Sequence, residues 1–176
     1  MLVKGFYHSP LGKITILGDD QAILGVWFDR QKHFGANYDL NDVPEQDTPV
    51  VEQAKNWLDE YFSGRRPAIS QLSLAPDVTD FRQQVLNVLQ TIPYGKTMTY
   101  KEIAEEISRK HDGKFVSPRA VGGAVGHNPI SIIIPCHRVV GSDGNLTGYA
   151  GGIDRKIQLL NSEGVSCDGK KQTLKA

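Results

Sequence analysis

The apolar residues change spacing along the chain, and that change restricts the fold more than any other feature. Leu2, Phe6, Ile14 and Ile16 sit in short apolar runs, broken at Ser9-Pro10-Leu11-Gly12 and at Gly18-Asp19-Asp20. Both breaks have turn chemistry. A third run, Ala22 to Phe28, stops at Asp29, so three antiparallel strands are expected. From Gln31 to Asp47 the pattern lapses into a loop. Thr48-Pro49 then pairs a hydroxyl cap with proline at the first helical position. Val50, Val51, Ala54, Trp57, Leu58, Tyr61 and Phe62 follow three or four residues apart, and Gly64 ends that helix.

Arg65 to Pro76 has no clear period and reads as a linker, dividing an N-terminal α/β subdomain (1–75) from a helical C-terminal subdomain (76–176). The fold class is therefore α+β. Phe81, Val85, Val88, Leu89 and Ile92 form one helical face, stopped by Pro93-Tyr94-Gly95. A helix from Tyr100 to Ser108 and another opened by Ser117-Pro118 have the outline of a helix-turn-helix. Ser131 to Pro135 is a β-branched run, read as a buried strand or extended segment continued by Cys136 to Val140 and ended by the Gly141 to Asn145 turn. A last helix covers Asp154 to Ser162. The tail from Val165, with Lys170, Lys171 and Lys175, is expected to be mobile.

With 176 residues, 39% hydrophobic and 23% charged, the composition is that of a globular domain rather than a disordered chain. No apolar run approaches the roughly 18–20 residues of a membrane span, and the N-terminus lacks a signal-peptide pattern. Two cysteines cannot build a disulfide framework and suit a reducing cytoplasm. The net charge of zero hides an asymmetry: residues 1–75 carry 7 Lys+Arg against 10 Asp+Glu, and residues 76–176 carry 13 against 10. Arg109, Lys110, Lys114, Arg119 and Arg138 face only Asp112 between positions 109 and 138. That stretch suits a polyanion, although such a pattern is more often a solvated face.

Cys136 follows Pro135 and precedes His137 and Arg138. A thiolate is the competent nucleophile, and a neighbouring imidazole and guanidinium would favour it. On an extended strand His137 would point to the opposite face, so a bridging water would be needed. A buried structural thiol is the bland alternative. Glu163 near a helix C-terminus is misplaced with respect to the helix dipole, which hints at a partner. Gly122 and Gly123 in mid-helix cost roughly 1 kcal/mol each relative to Ala, a cost explained if another backbone approaches closely. A cysteine hydrolase using Cys136 and His137, a zinc site adding Cys167, and a DNA-binding protein without catalysis are the competing readings. Cys167 reads as a spare thiol in a polar tail.

The string Pro135-Cys136-His137-Arg138-Val139 resembles the active-site signature of the O6-alkylguanine-DNA alkyltransferases. So do Ile92-Pro93-Tyr94-Gly95, Thr99 to Ala104, Arg119 to Ala124, Asn128-Pro129, Gly148 to Gly152 and Glu163-Gly164, in order, over residues 80–165. The resemblance implies that Cys136 accepts an alkyl group, His137 deprotonates it through water, Glu163 orients His137, and Asn128 bridges backbone near the nucleophile. It further implies a helix in the DNA minor groove, with Gly122 and Gly123 at the contact and a flipped-out base. Arg119 would fill the vacated stack, and Tyr100 would press on the target phosphate and help protonate the leaving guanine. Val139, Tyr149 and Ala150 would line the base pocket, with Lys156 near its rim. Ala150 stands where some family members have Ser. The partner expected is double-stranded DNA bearing O6-alkylguanine, with O4-methylthymine as a second substrate. The protein is expected to act as a cytoplasmic monomer, with cooperativity on DNA left open, and without cofactor or metal.

Overall fold

The computed structural model describes residues 1–146, 148–169 and 171–175. Lys170, one of the tail lysines, lies outside the described residues. The fold is α+β, and the chain packs as two units: residues 1–77 with 129–133, and residues 78–128 with 134–176. No helix among the described residues is long and apolar enough to cross a membrane.

In the first unit, β1 (Val3–Ser9), β2 (Gly12–Gly18) and β3 (Ile23–Phe28) form an antiparallel sheet in the order β1-β2-β3. The β1–β2 turn is closed by Ser9, whose hydroxyl donates to the Gly12 carbonyl at 2.7 Å and accepts from Leu11 N–H at 3.1 Å. Helix α1 (Pro49–Phe62) is capped by Thr48 and buries Val51, Ala54, Trp57, Leu58 and Tyr61. It reaches the sheet because Gly5 has no side chain: a Cβ there would lie 2.4 Å from a Val51 methyl.

The segment read as a linker is anchored instead. Ile23 N–H donates to the Ser73 carbonyl at 2.8 Å, Ala75 N–H donates to the Ile23 carbonyl at 2.9 Å, and the Trp57 indole donates to the Ala68 carbonyl at 3.0 Å. A second segment joins this unit from far along the chain. Val26 N–H donates to the Pro129 carbonyl and Ser131 N–H returns a bond to Val26.

Beyond Ser131 the strand expected from the β-branched run does not exist. Ile132 adopts φ +70°, a conformation rare for a β-branched residue, and Cys136–Arg138 is a 3-10 turn. Only Val139–Val140 (β5, below) is extended. The β-branched residues are there to fill the interior, where Ile132, Ile133 and Ile134 are all buried.

The second unit holds α2 (Asp80–Leu89), β4 (Met98–Thr99), α3 (Tyr100–Lys110), α4 (Pro118–Gly126), β5 (Val139–Val140), α5 (Ile153–Ser162) and the tail strands β6 (Cys167–Asp168) and β7 (Thr173–Leu174). Helix α3 starts in a capping box between Thr99 and Glu102, and α4 is capped by Ser117 with Pro118 behind it. Their inward faces are Ile103, Ala104 and Ile107 on one helix and Val121, Ala124 and Val125 on the other. The tail expected to be mobile folds back as an antiparallel hairpin, β6 with β7. Cys167 is therefore no surface thiol but joins a buried cluster with Val140, Leu146 and Leu160.

Candidate active site and DNA-facing surface

Two short structures bring the chemistry together. Strands β4 and β5 pair in parallel, Met98 with Val139 and Thr99 with Val140, so the start of α3 lies beside the residues that follow Cys136. The 3-10 turn then places Cys136, His137 and Arg138 in three directions rather than on alternating faces. His137 Nε2 meets Glu163 Oε2 at 2.7 Å. Arg138 donates to the same carboxylate twice, from Nε at 2.8 Å and Nη2 at 3.1 Å, and its Nη1 donates to the Ile92 carbonyl at 2.8 Å. Gly95 N–H adds a further donor to Glu163 at 3.2 Å.

The expected role of Arg138 is thereby corrected. Its guanidinium neutralises Glu163 and ties down the end of α2, and so does not serve the thiol. His137 and Arg138 are the partners that the odd position of Glu163 called for. Burial pushes the Glu163 carboxyl pKa up, but the hydrogen bonds from His137 and Arg138 and the Arg138 charge outweigh burial and hold it well below the usual carboxylate range. His137, fully buried, is shifted down by burial despite Glu163, so its ring is neutral near pH 7. A neutral ring with Nε2–H directed at Glu163 leaves Nδ1 as the basic nitrogen.

Cys136 is 3% exposed, and burial pushes its thiol pKa up. The sequence suggested a thiolate favoured by its two neighbours; desolvation wins instead, and the thiol rests protonated. The opposing influences are a hydrogen bond from Asn128, the charge of Lys156, and the backbone N–H groups of Cys136 and His137. Asn128 also donates from Nδ2 to the Ile134 carbonyl at 2.9 Å, clamping the chain on both sides of the 129–133 excursion.

Lys156 is the second correction. Expected at a pocket rim, it is 1% exposed and donates from Nζ to the Val139 carbonyl at 2.5 Å. Burial lowers its pKa to about 8, with the two cysteines pulling the other way. The signal for this was present in the sequence, because Lys156 falls three residues after Ile153 and four before Leu160, on the buried face of α5.

Tyr100 opens α3, and its hydroxyl pKa is raised by burial and by Cys136. A Cβ built on Gly148 would lie 3.3 Å from that hydroxyl, and one on Gly122 would lie 3.8 Å from the Tyr100 ring. Gly122 thus faces Tyr100, whereas a Cβ on Gly123 would meet nothing within 4 Å. Arg119, Ala120 and Gly123 are the exposed face of α4, a surface with little side-chain relief beyond Arg119. An open cleft of about 660 Å³ is lined by Tyr100, Lys101, Pro118, Arg119, Gly122, Gly141, Ser142, Asp143 and Asn145. Cys136, Val139, Tyr149, Ala150 and Lys156 are not on its walls. Val139 and Tyr149 are buried, and Ala150 is half-buried in a turn. Among the described residues no three His, Cys, Asp or Glu side chains cluster as a metal site requires.

Comparison with known proteins finds matches in both halves of the chain. Residues 80–165 match the family model for the DNA binding domain of 6-O-methylguanine DNA methyltransferase, and residues 2–76 match the model for its ribonuclease-like domain. A methylated-DNA–protein-cysteine methyltransferase of Shigella flexneri is 48% identical over 162 residues, covering 89% of this chain and 92% of its own. The one from Methanosarcina acetivorans is 41% identical over 161 residues, covering 92% and 97%. Among solved structures, Mycobacterium tuberculosis OGT in complex with DNA superposes with a TM-score of 0.78 at 39% identity, covering 92% of each chain. With both of its halves matched, the chain belongs to the 6-O-methylguanine DNA methyltransferase family.

Proposed function

We propose that this protein repairs DNA by moving an alkyl group from O6-alkylguanine to Cys136, once per molecule. The observation that carries the reading is a buried thiol, Cys136, hydrogen-bonded by Asn128 and followed by a His137 whose ring is held by Glu163, close enough to Tyr100 to raise its pKa, while Tyr100 also lines a cleft with Arg119. His137 Nδ1 takes the thiol proton through a water, while Glu163 holds the opposite nitrogen. The sulfur attacks the alkyl carbon, and the S–C bond forms as the C–O bond breaks. The electron pair goes to the guanine ring, which is protonated with help from the Tyr100 hydroxyl. The product thioether has no easy leaving group, so the thiol is not regenerated.

A base inside a duplex cannot reach a sulfur this deeply set, so the nucleotide must leave the stack. Arg119 fills the gap, and the bare α4 face around Gly122 and Gly123 lets the DNA backbone come close. Val139, Tyr149 and Ala150 receive the base. Lys156 acts from beneath the site as a buried cation rather than at the rim. Residues 1–75 belong to the N-terminal subdomain, which the 129–133 segment joins, and the rest of residues 76–176 to the DNA-binding, alkyl-accepting one. The protein works as a cytoplasmic monomer on duplex DNA, and O4-methylthymine is a second substrate.

The test is Cys136→Ala. It should abolish alkyl transfer from an O6-methylguanine duplex while leaving duplex binding intact. In the unaltered protein, mass spectrometry should find one added methyl on the Cys136 peptide. Repair that persists in the variant, or repeated turnover, would overturn the assignment in favour of a hydrolase or of a second acceptor.

A further inference from the structure

The cleft has one wall made of Gly141, Ser142, Asp143 and Asn145, and that wall does not stand alone. Leu146 N–H donates to the Gln172 carbonyl at 2.9 Å, and Leu174 N–H donates to the Gly144 carbonyl at 2.9 Å. Asn145 and Thr173 form an antiparallel bridge between these bonds. Strand β7, which supplies them, is held on its other edge by β6, Thr173 opposite Asp168 and Leu174 opposite Cys167. Leu146 is fully buried in the cluster with Val140, Leu160 and Cys167, against which Leu174 packs. The tail and the wall are thus one small sheet with its own apolar base.

Left to itself the wall would be a poor surface. Gly141, Gly144, Gly148, Gly151 and Gly152 fall within twelve residues, and three of them adopt positive φ. Chain this rich in glycine loses much freedom when ordered. The bonds Gly144 N–H to the Gly141 carbonyl and Gly141 N–H to the Asn145 carbonyl are local and shape the turn. The partners from 172–174 tie the Gly144–Leu146 backbone to a distant part of the chain.

We propose that the C-terminal hairpin is a positioning element for the lesion-binding cleft, with Leu174 as its key residue: it fixes the Gly141–Asn145 wall against which the flipped nucleotide is placed. This rests on the alkyl-transfer reading. The hairpin contributes no hydrogen bond to Cys136, His137 or Glu163 among the described residues, so it acts on the fit of the substrate and on selectivity among alkyl groups.

The experiment uses the full chain with Leu174→Pro, which removes the N–H that binds Gly144 and the apolar contact together. Single-turnover transfer is measured from the same duplex carrying either O6-methylguanine or O6-benzylguanine, alongside affinity for undamaged duplex and amide exchange of residues 141–146. The expected result is lost protection at Leu146 and at least a fivefold fall in the second-order transfer rate constant. The methyl-to-benzyl ratio should change at least threefold, with undamaged-duplex affinity unaltered. Leu174→Met should restore both rate and ratio. Should the proline variant fail to fold, Leu174→Ala takes its place, with about a twofold change in the same ratio expected. Faster exchange with rates and ratio unchanged overturns the proposal, as does unchanged exchange. Failure of the unaltered protein to transfer any alkyl group would instead sink the underlying reading.

Discussion

In the first unit the buried polar side chains are Thr15, Gln31 and Ser131, all neutral, whereas in the second they are Asn128, His137, Arg138, Lys156 and Glu163. The first set serves the backbone. Gln31 Oε1 accepts from Phe28 N–H at 2.8 Å and from the Ser131 hydroxyl at 3.2 Å, closing the end of β3. The second set gathers ionisable groups around a thiol, where each charge carries a desolvation cost that only a partner offsets. One unit is arranged for stability, and the other gives up stability for chemistry.

That contrast is sharpest at Glu163. Glu163→Gln leaves Arg138 buried without its counter-charge, which costs about 3–5 kcal/mol, and should slow transfer about 100-fold because the base loses its orienter. Urea denaturation and single-turnover kinetics measure the two effects. A loss below about 1 kcal/mol would break the contrast.

Lys156 offers the opposite sign. Its fall from 10.5 to about 8 corresponds to roughly 3 kcal/mol of penalty. Since the folded state binds the proton less tightly than the unfolded one, the penalty is fully present below about pH 8. It fades as pH rises toward the ordinary lysine value. Lys156→Met should therefore stabilise the protein at pH 7 by up to about 3 kcal/mol, with the gain vanishing above pH 10. The same change should slow transfer about tenfold, since the thiol loses a nearby cation. Denaturation at pH 7 and pH 10 separates this from simple repacking, which would be independent of pH.

The smallest effect belongs to the first unit. Gln31→Met removes the acceptor for Phe28 N–H and costs about 1–2 kcal/mol, with the transfer rate per folded molecule unchanged. A changed rate there would show that the units do not divide the work.

What the sequence made legible follows the same division. The sheet and α1 were readable because turn residues and caps act locally: Ser9 closes its own hairpin, and Thr48 caps its own helix. The family signature implied that Glu163 orients His137, and the two side chains meet at 2.7 Å. The rest depended on distant partners. Ser131 to Val140 looked like a strand because β-branched residues favour strands, but here the chain touches β3 only briefly and then turns. Arg138 looked like an aid to its neighbour Cys136, yet its carboxylate lies 25 residues away. The tail looked polar and loose because the apolar residues that bury Cys167 come from elsewhere in the chain.

Glu163 accepts from Gly95, His137 and Arg138, three donors on two stretches of chain remote from its own. A keystone of this kind makes the neighbourhood all-or-nothing. One proton captured by that carboxylate has leverage over the whole arch at once, so the reactive centre cannot be dismantled one contact at a time.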